Sequence, residues 1–195
     1  MQELAPGSMV SEAELVEQLN CGRTPIREAL LRLKLEGYID VHPRRGALVT
    51  SVDIVRQLEL LEVRRPLEEL VARLAARRAT EEEREQCKML SENIRAAARG
   101  SDRRAFYEAN KAIHVFLEAA AHNQALAKTV AGIHAHSRRF WYAHIGHDHM
   151  PKAAECHADT LDQIVKGDAD AAAKAALSLI DYLEVLTRQT IERRG

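Results

Sequence analysis

The sequence predicts a mostly α-helical fold in two parts: a short mixed unit over residues 1–52 and an antiparallel bundle of six helices over residues 53–195. Aromatic residues make up only 4% of the chain, so Leu, Ala, Val and Ile must fill the cores, which favours closely packed helices. Residues 1–52 mix short helical and β-rich runs, whereas apolar residues further on recur at helical spacing in six segments.

The N-terminal unit is expected to begin with two short helices. Ser11 and Glu14 have the spacing of a capping box, which predicts that the first helix begins there. Thr24 and Pro25 predict the start of a second helix, as an N-cap followed by proline at the first helical position. Gly37 is expected to end it.

Two β-rich runs follow these helices, at residues 38–41 and 47–52, and the segment HPRRG between them predicts a hairpin with a basic tip. Helix, turn, helix and hairpin is the order of a winged helix-turn-helix, whose second helix enters the major groove of DNA. Such domains usually have a further helix in front. Residues 1–7 are too short to form it, so we expect either that this chain begins inside the domain or that the first helix has been lost.

Positive charge is concentrated in the second helix and the hairpin. The chain has a net charge of -1, but residues 21–52 hold six basic and three acidic side chains, whereas residues 1–20 hold four acidic and no basic ones. Arg23, Thr24 and Arg27 would lie where the second helix meets the groove, and arginine there can bind guanine through two hydrogen bonds. Arg44 and Arg45 would hold phosphates. The alternative is that these arginines are ordinary solvated charges.

The segment GRTPIREAL at residues 22–30, with Pro6-Gly7 before it and Glu36-Gly37 and PRRGA (residues 43–47) after it, resembles the GntR family of bacterial transcription regulators. This resemblance implies that Arg23, Thr24 and Arg27 contact operator DNA. It also implies that Gly46 lets the wing approach the DNA backbone.

The six bundle helices are predicted from their start signals. Asp53 and Asp102 are expected to cap the first and third, and Thr80 with Glu83 forms a capping box at the second. In the first helix, Pro66 predicts a kink. The remaining starts are Asn123, Pro151 and Asp168; the predicted buried stripe of the first helix is Ile54, Leu58, Leu61, Leu67, Leu70 and Leu74, and that of the last is Ala172, Ala176, Leu179, Leu183 and Leu186.

Amphipathic helices must bury their apolar stripes against one another, which predicts an effector-binding bundle with a pocket between helices. The bundle is similar to the FCD-type effector domain of the FadR-like branch of the GntR family, through residues 64–68, residues 110–114, His157 and Gly167-Asp168. Many members hold a divalent metal, zinc or nickel, through an aspartate and three histidines, and this metal helps to bind a carboxylate effector.

The matching positions in this chain are Asn110, His114, His157 and Leu179, so the resemblance implies a metal site reduced to Asn110, His114 and His157. Zinc prefers at least three good ligands. The alternative is that both histidines are hydrogen-bonded in a polar cavity without a metal. A different placement of the last helix would bring in Asp181 as a further ligand.

Several other side chains are candidates for effector binding. Arg64, Arg138 and Arg139 could hold a carboxylate through two hydrogen bonds, although surface ion pairs are the alternative role for them. Asn110, His114, His134 and His157 complete the predicted pocket. The spacing H-x-x-H-x-H at His144, His147 and His149 is a second metal motif, and solvated loop histidines are its alternative.

Other classes of protein fit less well. Cys21, Cys87 and Cys156 form no disulfide or metal pattern, and the chain has neither a signal-peptide pattern nor an apolar run of membrane-spanning length, so we expect a cytoplasmic protein without membrane contact. The chain has no nucleophile-base motif, phosphate-binding glycine loop or H-E-x-x-H sequence, which argues against an enzyme such as a metal hydrolase.

We therefore expect a homodimeric transcription regulator, which binds double-stranded operator DNA and responds to a small carboxylate effector. The alternative is a dimeric ligand-sensing protein that no longer binds DNA because its N-terminal domain is incomplete.

Overall fold

The computed structural model describes residues 4–42, 45–144 and 146–192. The chain divides into two compact units, Met1–Val52 and Asp53–Gly195. A winged helix-turn-helix is followed by a six-helix bundle, which confirms the fold class expected from the sequence. Within the described residues, no helix combines the length and apolarity that crossing a membrane requires.

The N-terminal unit has two helices and a three-stranded antiparallel sheet. Strand β1 is Met9–Val10, helix α1 Glu12–Leu19, helix α2 Arg23–Leu35, strand β2 Ile39–His42 and strand β3 Gly46–Val49. Strand β3 lies between β1 and β2 in the sheet, with Met9 opposite Leu48 and Ile39 opposite Val49. The capping box of Ser11 and Glu14 is present as expected. Strand β1 was not expected from the sequence.

Helix α2 begins earlier than expected. Its N-cap is Gly22, so Thr24 lies within the first turn and the expected N-cap at Thr24 is wrong. Pro25 is tolerated there because the first amides of a helix have no partner within the helix. Ile26, Leu30 and Leu33 form the apolar stripe expected on this helix. Ile26 is buried, whereas Leu30 and Leu33 are only half-buried.

The six helices of the second unit are α3 (Ile54–Arg78), α4 (Glu81–Arg99), α5 (Arg103–Ala120), α6 (Gln124–His144), α7 (Met150–Lys166) and α8 (Ala169–Glu192). A short 3₁₀ turn, His147–His149, precedes α7. The expected caps form at Asp53, Thr80 and Asp102. Helix α8 buries its expected stripe of alanine and leucine, and packs mainly against α3 and α7.

The buried face of α3 differs from the leucine stripe expected from the sequence. Of the six apolar residues expected there, only Leu61 is buried, and Leu70 is 41% exposed. The alanines on the buried face of α3 let α8 approach closely. The same face of α3 also places three polar side chains in the interior of the bundle. The residues buried on this face are Gln57, Leu61, Arg64, Glu68, Val71, Ala72, Ala75 and Ala76.

Candidate functional site

The N-terminal turn of α2 presents three of the expected DNA-binding side chains. Arg23, Thr24 and Arg27 are all exposed, and the side chain of Arg27 is 68% accessible. The N-cap Gly22 provides no side-chain hydrogen bond to the first turn. Unpaired backbone amides at a helix start form hydrogen bonds with anions such as phosphates.

A groove of about 500 Å³ lies between α2 and the hairpin, within the N-terminal unit. Arg27, Lys34 and Arg45 line it, so helix and hairpin both contribute positive charge. The Nε atom of Arg27 donates a hydrogen bond of 2.8 Å to Glu12 of α1, which holds the guanidinium at one edge of the groove.

The hairpin contributes Arg45, which is exposed, and Gly46. Arg44, also expected to contact DNA, lies outside the described residues. Gly46 has a φ of +104°, and a Cβ atom at this position would lie 2.6 Å from the carbonyl oxygen of Val10. The close approach of β1 therefore requires glycine here, which gives Gly46 a role inside the protein.

A small cavity in the bundle contains most of the expected effector residues. Its volume is about 30 Å³. This is room for one or two water molecules and far below the several hundred Å³ of a typical ligand pocket. A ligand larger than that requires the surrounding helices or side chains to move. The polar residues that line the cavity are Gln57, Arg64, Asn110, His114, Ser137, Arg138 and His157, and the apolar ones are Phe106, Phe140, Trp141, Ala153, Leu179 and Leu183.

Arg64 is the centre of the polar network and is only 3% exposed. Its Nε donates to Glu68 at 2.6 Å, its Nη1 to the hydroxyl oxygen of Ser137 at 3.2 Å, and its Nη2 to Nε2 of His114 at 3.0 Å. Gln57 donates to the same Ser137 oxygen, and its own Oε1 is buried with no hydrogen-bond partner among the described residues. The guanidinium thus joins α3 to α5 and α6.

His134 lies between two carboxylates. Its Nε2 is 2.9 Å from Glu68 and its Nδ1 is 2.7 Å from Glu118. Each ring nitrogen of His134 is thus within hydrogen-bond distance of a carboxylate oxygen, and a carboxylate accepts hydrogen bonds. Burial by itself would raise the pKa of Glu68, but the positive charges of Arg64 and His134 outweigh burial and hold that pKa well below its usual range.

The two histidines expected as metal ligands are neutral. Burial, together with the positive charges of His134 and Arg64, lowers the pKa of His114 well below its usual range. Burial and Arg64 lower the pKa of His157 to about 3. The amide nitrogen of Asn110 donates to Nε2 of His157 at 2.7 Å. His114 therefore accepts a hydrogen bond from the cationic Arg64, and His157 accepts one from the uncharged Asn110.

The structure thus brings together Arg64, Asn110, His114, Arg138 and His157 around one cavity. His134 stacks on His114, with 4.2 Å between ring centroids. Sequence reasoning missed Gln57, Glu68, Glu118 and Ser137. The signal for the first two was their spacing, since Gln57, Leu61, Arg64 and Glu68 lie at intervals of four, three and four residues on one helix face.

Two other expected sites are not formed. Asp181 is 65% exposed and pairs with Arg65 on the surface, so α8 does not bring it to the cavity. His144 contacts the ring of Phe140, and His149 hydrogen-bonds to Tyr182. Within residues 4–42, 45–144 and 146–192, the one group of three close metal-ligand side chains is Glu68, His114 and His134.

Comparison with known families decides what kind of protein has this architecture. The model of bacterial regulatory proteins of the gntR family matches residues 1–49, and the FCD domain model matches residues 59–182. The chain belongs to the GntR family. It is a GntR-family transcription regulator with an FCD domain, and not an enzyme.

Relatives of this GntR regulator cover almost the whole chain. The HTH-type transcriptional repressor RspR of Escherichia coli is 28% identical over 95% of this chain and 82% of its own length. The galactonate operon transcriptional repressor of the same species is 31% identical over 90% and 85%. The solved structure of E. coli McbR/YncC has the same fold, with a TM-score of 0.83 and 21% identity over 96% of this chain and 90% of that one.

FCD domains can bind metals, but the residues of this GntR regulator do not fit the metal site that the family resemblance implies. Nε2 of His114 accepts a hydrogen bond from a guanidinium, and Nε2 of His157 accepts one from Asn110. Leu179, in the fourth position, lines the same cavity and offers no ligand atom. The observed contacts agree with the alternative of hydrogen-bonded histidines in a polar cavity.

Proposed function

We propose that this regulator binds operator DNA as a homodimer in the cytoplasm and that a small carboxylate bound in the FCD domain changes its affinity for DNA. The observation that carries the effector half of this proposal is the buried guanidinium of Arg64 at the cavity, with Arg138 beside it. A buried guanidinium binds a carboxylate through two charge-assisted hydrogen bonds.

The proposed DNA contacts are Arg23, Thr24 and Arg27 at the start of α2, with Arg44, Arg45 and Gly46 in the hairpin. Their support is the exposure of the three helix residues and the positive groove between helix and hairpin. In a dimer, two such units would contact half-sites about one turn of DNA apart. The effector would act only to the extent that it binds one arrangement of the dimer better than another.

The proposed effector contacts are Arg64, Asn110, His114, His134, Arg138 and His157. Support comes from the cavity, which five of them line together with an apolar wall, a combination typical of small-molecule sites. The sixth, His134, stacks on His114. One relative is named as the transcriptional repressor of a galactonate operon, and a sugar acid of this kind is a suitable first ligand to test.

The test of the DNA proposal is a fluorescence anisotropy titration with duplexes that tile the upstream region of the regulator's own gene. We expect affinity to fall steeply with salt and to exceed that for a scrambled duplex by at least about a thousandfold. Binding that is absent or equal for all duplexes would favour the alternative of a sensor that does not bind DNA. Light scattering of the same sample would test the dimer.

The effector proposal has a separate test. Thermal shifts measured with a panel of small hydroxy acids and dicarboxylates should identify a stabilising ligand, because a ligand of the folded state raises its stability. Arg138→Ala should reduce that shift. Arg139→Ala on the same helix is the comparison variant, because Arg139, the other candidate on this helix, is not among the residues that line the cavity. Equal shifts in both variants would remove Arg138 from the site.

A further inference from the structure

We infer that the Arg64 guanidinium is the resident cation of the bundle and that it excludes a divalent metal from Glu68, His114 and His134. This goes beyond the proposed function, because it concerns which ions the bundle binds whether or not DNA or an effector is present. It also reverses the expectation of a metal at Asn110, His114 and His157.

Glu68, His114 and His134 form a latent ligand set. All three are buried, and each offers one ligand atom within 4.8 Å of the others. Two imidazoles and a carboxylate are a combination that binds zinc in proteins. These three side chains lie next to the metal site that the family resemblance implies, and their chemistry suits zinc. If a metal is excluded, another group must exclude it.

Arg64 lies between two of these ligand atoms, those of Glu68 and His114. Its Nη2 is 2.6 Å from the carboxylate oxygen of Glu68 and 3.0 Å from Nε2 of His114. A zinc ion bound to both atoms would need to lie about 2.0–2.2 Å from each. An ion at that distance would contact the guanidinium itself, and two cations in contact inside a protein repel strongly.

The acidic side chains beside Arg64 already have hydrogen-bond partners. One oxygen of Glu68 accepts from both Arg64 and His134, and Glu118 accepts from the other nitrogen of His134. A second guanidinium is close, since Nη1 of Arg138 lies 3.3 Å from Nδ1 of His114. A divalent ion would add two positive charges to this buried cluster and would displace hydrogen bonds that satisfy it.

The test measures metal binding directly. Wild type and Arg64→Ala are loaded with excess zinc or nickel, dialysed, and analysed for metal content, with Arg65→Ala as the matched control. Arg65 is the adjacent arginine, and it pairs with Asp181 and Glu184 on the surface. We expect wild type and Arg65→Ala to retain well under about 0.1 metal per chain. Arg64→Ala should retain about one, lost again in Arg64→Ala/His114→Asn.

Cobalt(II) titration gives a second readout, because coordinated cobalt has visible absorption bands that the hydrated ion lacks. If Arg64→Ala fails to fold, Arg64→Gln serves in its place, since its amide can still donate to Glu68. A stoichiometric metal in wild type that His114→Asn removes would overturn the inference. So would a folded Arg64→Ala or Arg64→Gln variant that gains no metal. None of these measurements uses DNA or an effector, so their failure is distinct from failure of the proposed function.

Discussion

The Nη2 atom of Arg64 lies 3.0 Å from Nε2 of His114, so a buried neutral imidazole accepts a hydrogen bond from a buried guanidinium. This contact depends on Glu68, whose carboxylate holds the guanidinium from the other side at 2.6 Å. The stability of this polar network therefore depends on the carboxylate of Glu68.

Glu68→Gln should destabilise the bundle by about 3–5 kcal/mol, because it leaves the buried guanidinium of Arg64 without the carboxylate that it shares with His134. Urea denaturation followed by circular dichroism measures this loss. Glu69→Gln is the control, since the adjacent Glu69 pairs with Arg73 at the surface. Its cost should stay below about 1 kcal/mol. Equal costs in the two variants would contradict the central position of Glu68.

Acidification should destabilise the bundle through its buried neutral histidines. The unfolded chain protonates His157 near pH 6.5, whereas in the folded protein the pKa of His157 is about 3. The contribution of neutral His157 to stability is therefore fully present above pH 6.5, and it is lost as the pH falls from 6.5 towards 3. At pH 5 the loss from His157 is about 2 kcal/mol, and His114 adds to it in the same direction.

Thermal unfolding of the bundle at pH 7, 6 and 5 tests this slope. His157→Gln should have a shallower pH dependence because it removes one of the two buried bases. A variant with the wild-type slope would show that His157 does not contribute to acid sensitivity.

Arg27→Ala should weaken operator binding by about 5- to 150-fold, corresponding to the 1–3 kcal/mol of a base contact through two hydrogen bonds. The fold should be intact because Arg27 is exposed and its one described ion pair, with Glu12, lies at the surface. Arg32→Ala is the control on the same helix, where the Arg32 side chain is 82% exposed and pairs with Glu36. Anisotropy titrations give both affinities, and similar values for the two variants would remove Arg27 from the interface.

Gly46→Ala should destabilise the winged unit. The positive φ alone costs about 1–3 kcal/mol, and the Cβ clash with Val10 adds to it. Gly22→Ala is the control, since its φ is -67° and the nearest atom to its Cβ would be 3.7 Å away. Limited proteolysis should cleave the first 52 residues of Gly46→Ala faster than those of Gly22→Ala. Resistance equal to wild type would show that β1 can move away at no cost.

Thiol labelling should distinguish the three cysteines. Cys21 is exposed next to the start of α2, whereas burial raises the pKa of the Cys87 thiol to about 12 and also raises that of Cys156. A thiol reagent should therefore modify one cysteine per folded chain, and none in Cys21→Ser. Operator DNA should slow the reaction of Cys21, and a scrambled duplex should not. Equal rates with both duplexes would place the DNA elsewhere.

Local sequence signals predicted most of the helices. Ser11, Asp53, Thr80 and Asp102 each cap a helix where expected, because a capping side chain acts on amides two or three residues away. The start of α2 was displaced, since Thr24-Pro25 has the features of a helix start whether Gly22 or Thr24 is the cap. The two-residue strand β1 has no periodicity to detect, and it exists because β3 pairs with it.

The candidate site was only partly predictable. His114 and His157 could be placed in the interior from helical spacing and family resemblance. Glu118 and Ser137 could not, because their contacts join α5 and α6 to the other helices and depend on how these helices pack. The apolar periodicity of α3 pointed to its leucines, whereas the close approach of α8 selects the face rich in alanine.

One oxygen atom of Glu68 connects the cavity to the rest of the bundle. It accepts hydrogen bonds from Arg64 of its own helix and from His134 of α6, and His134 in turn holds Glu118 of α5. An anion that drew the guanidinium towards itself would leave this oxygen with a single donor. A ligand in a cavity that holds only one or two water molecules would then change the hydrogen bonding of three helices, because α3, α5 and α6 are connected through this oxygen.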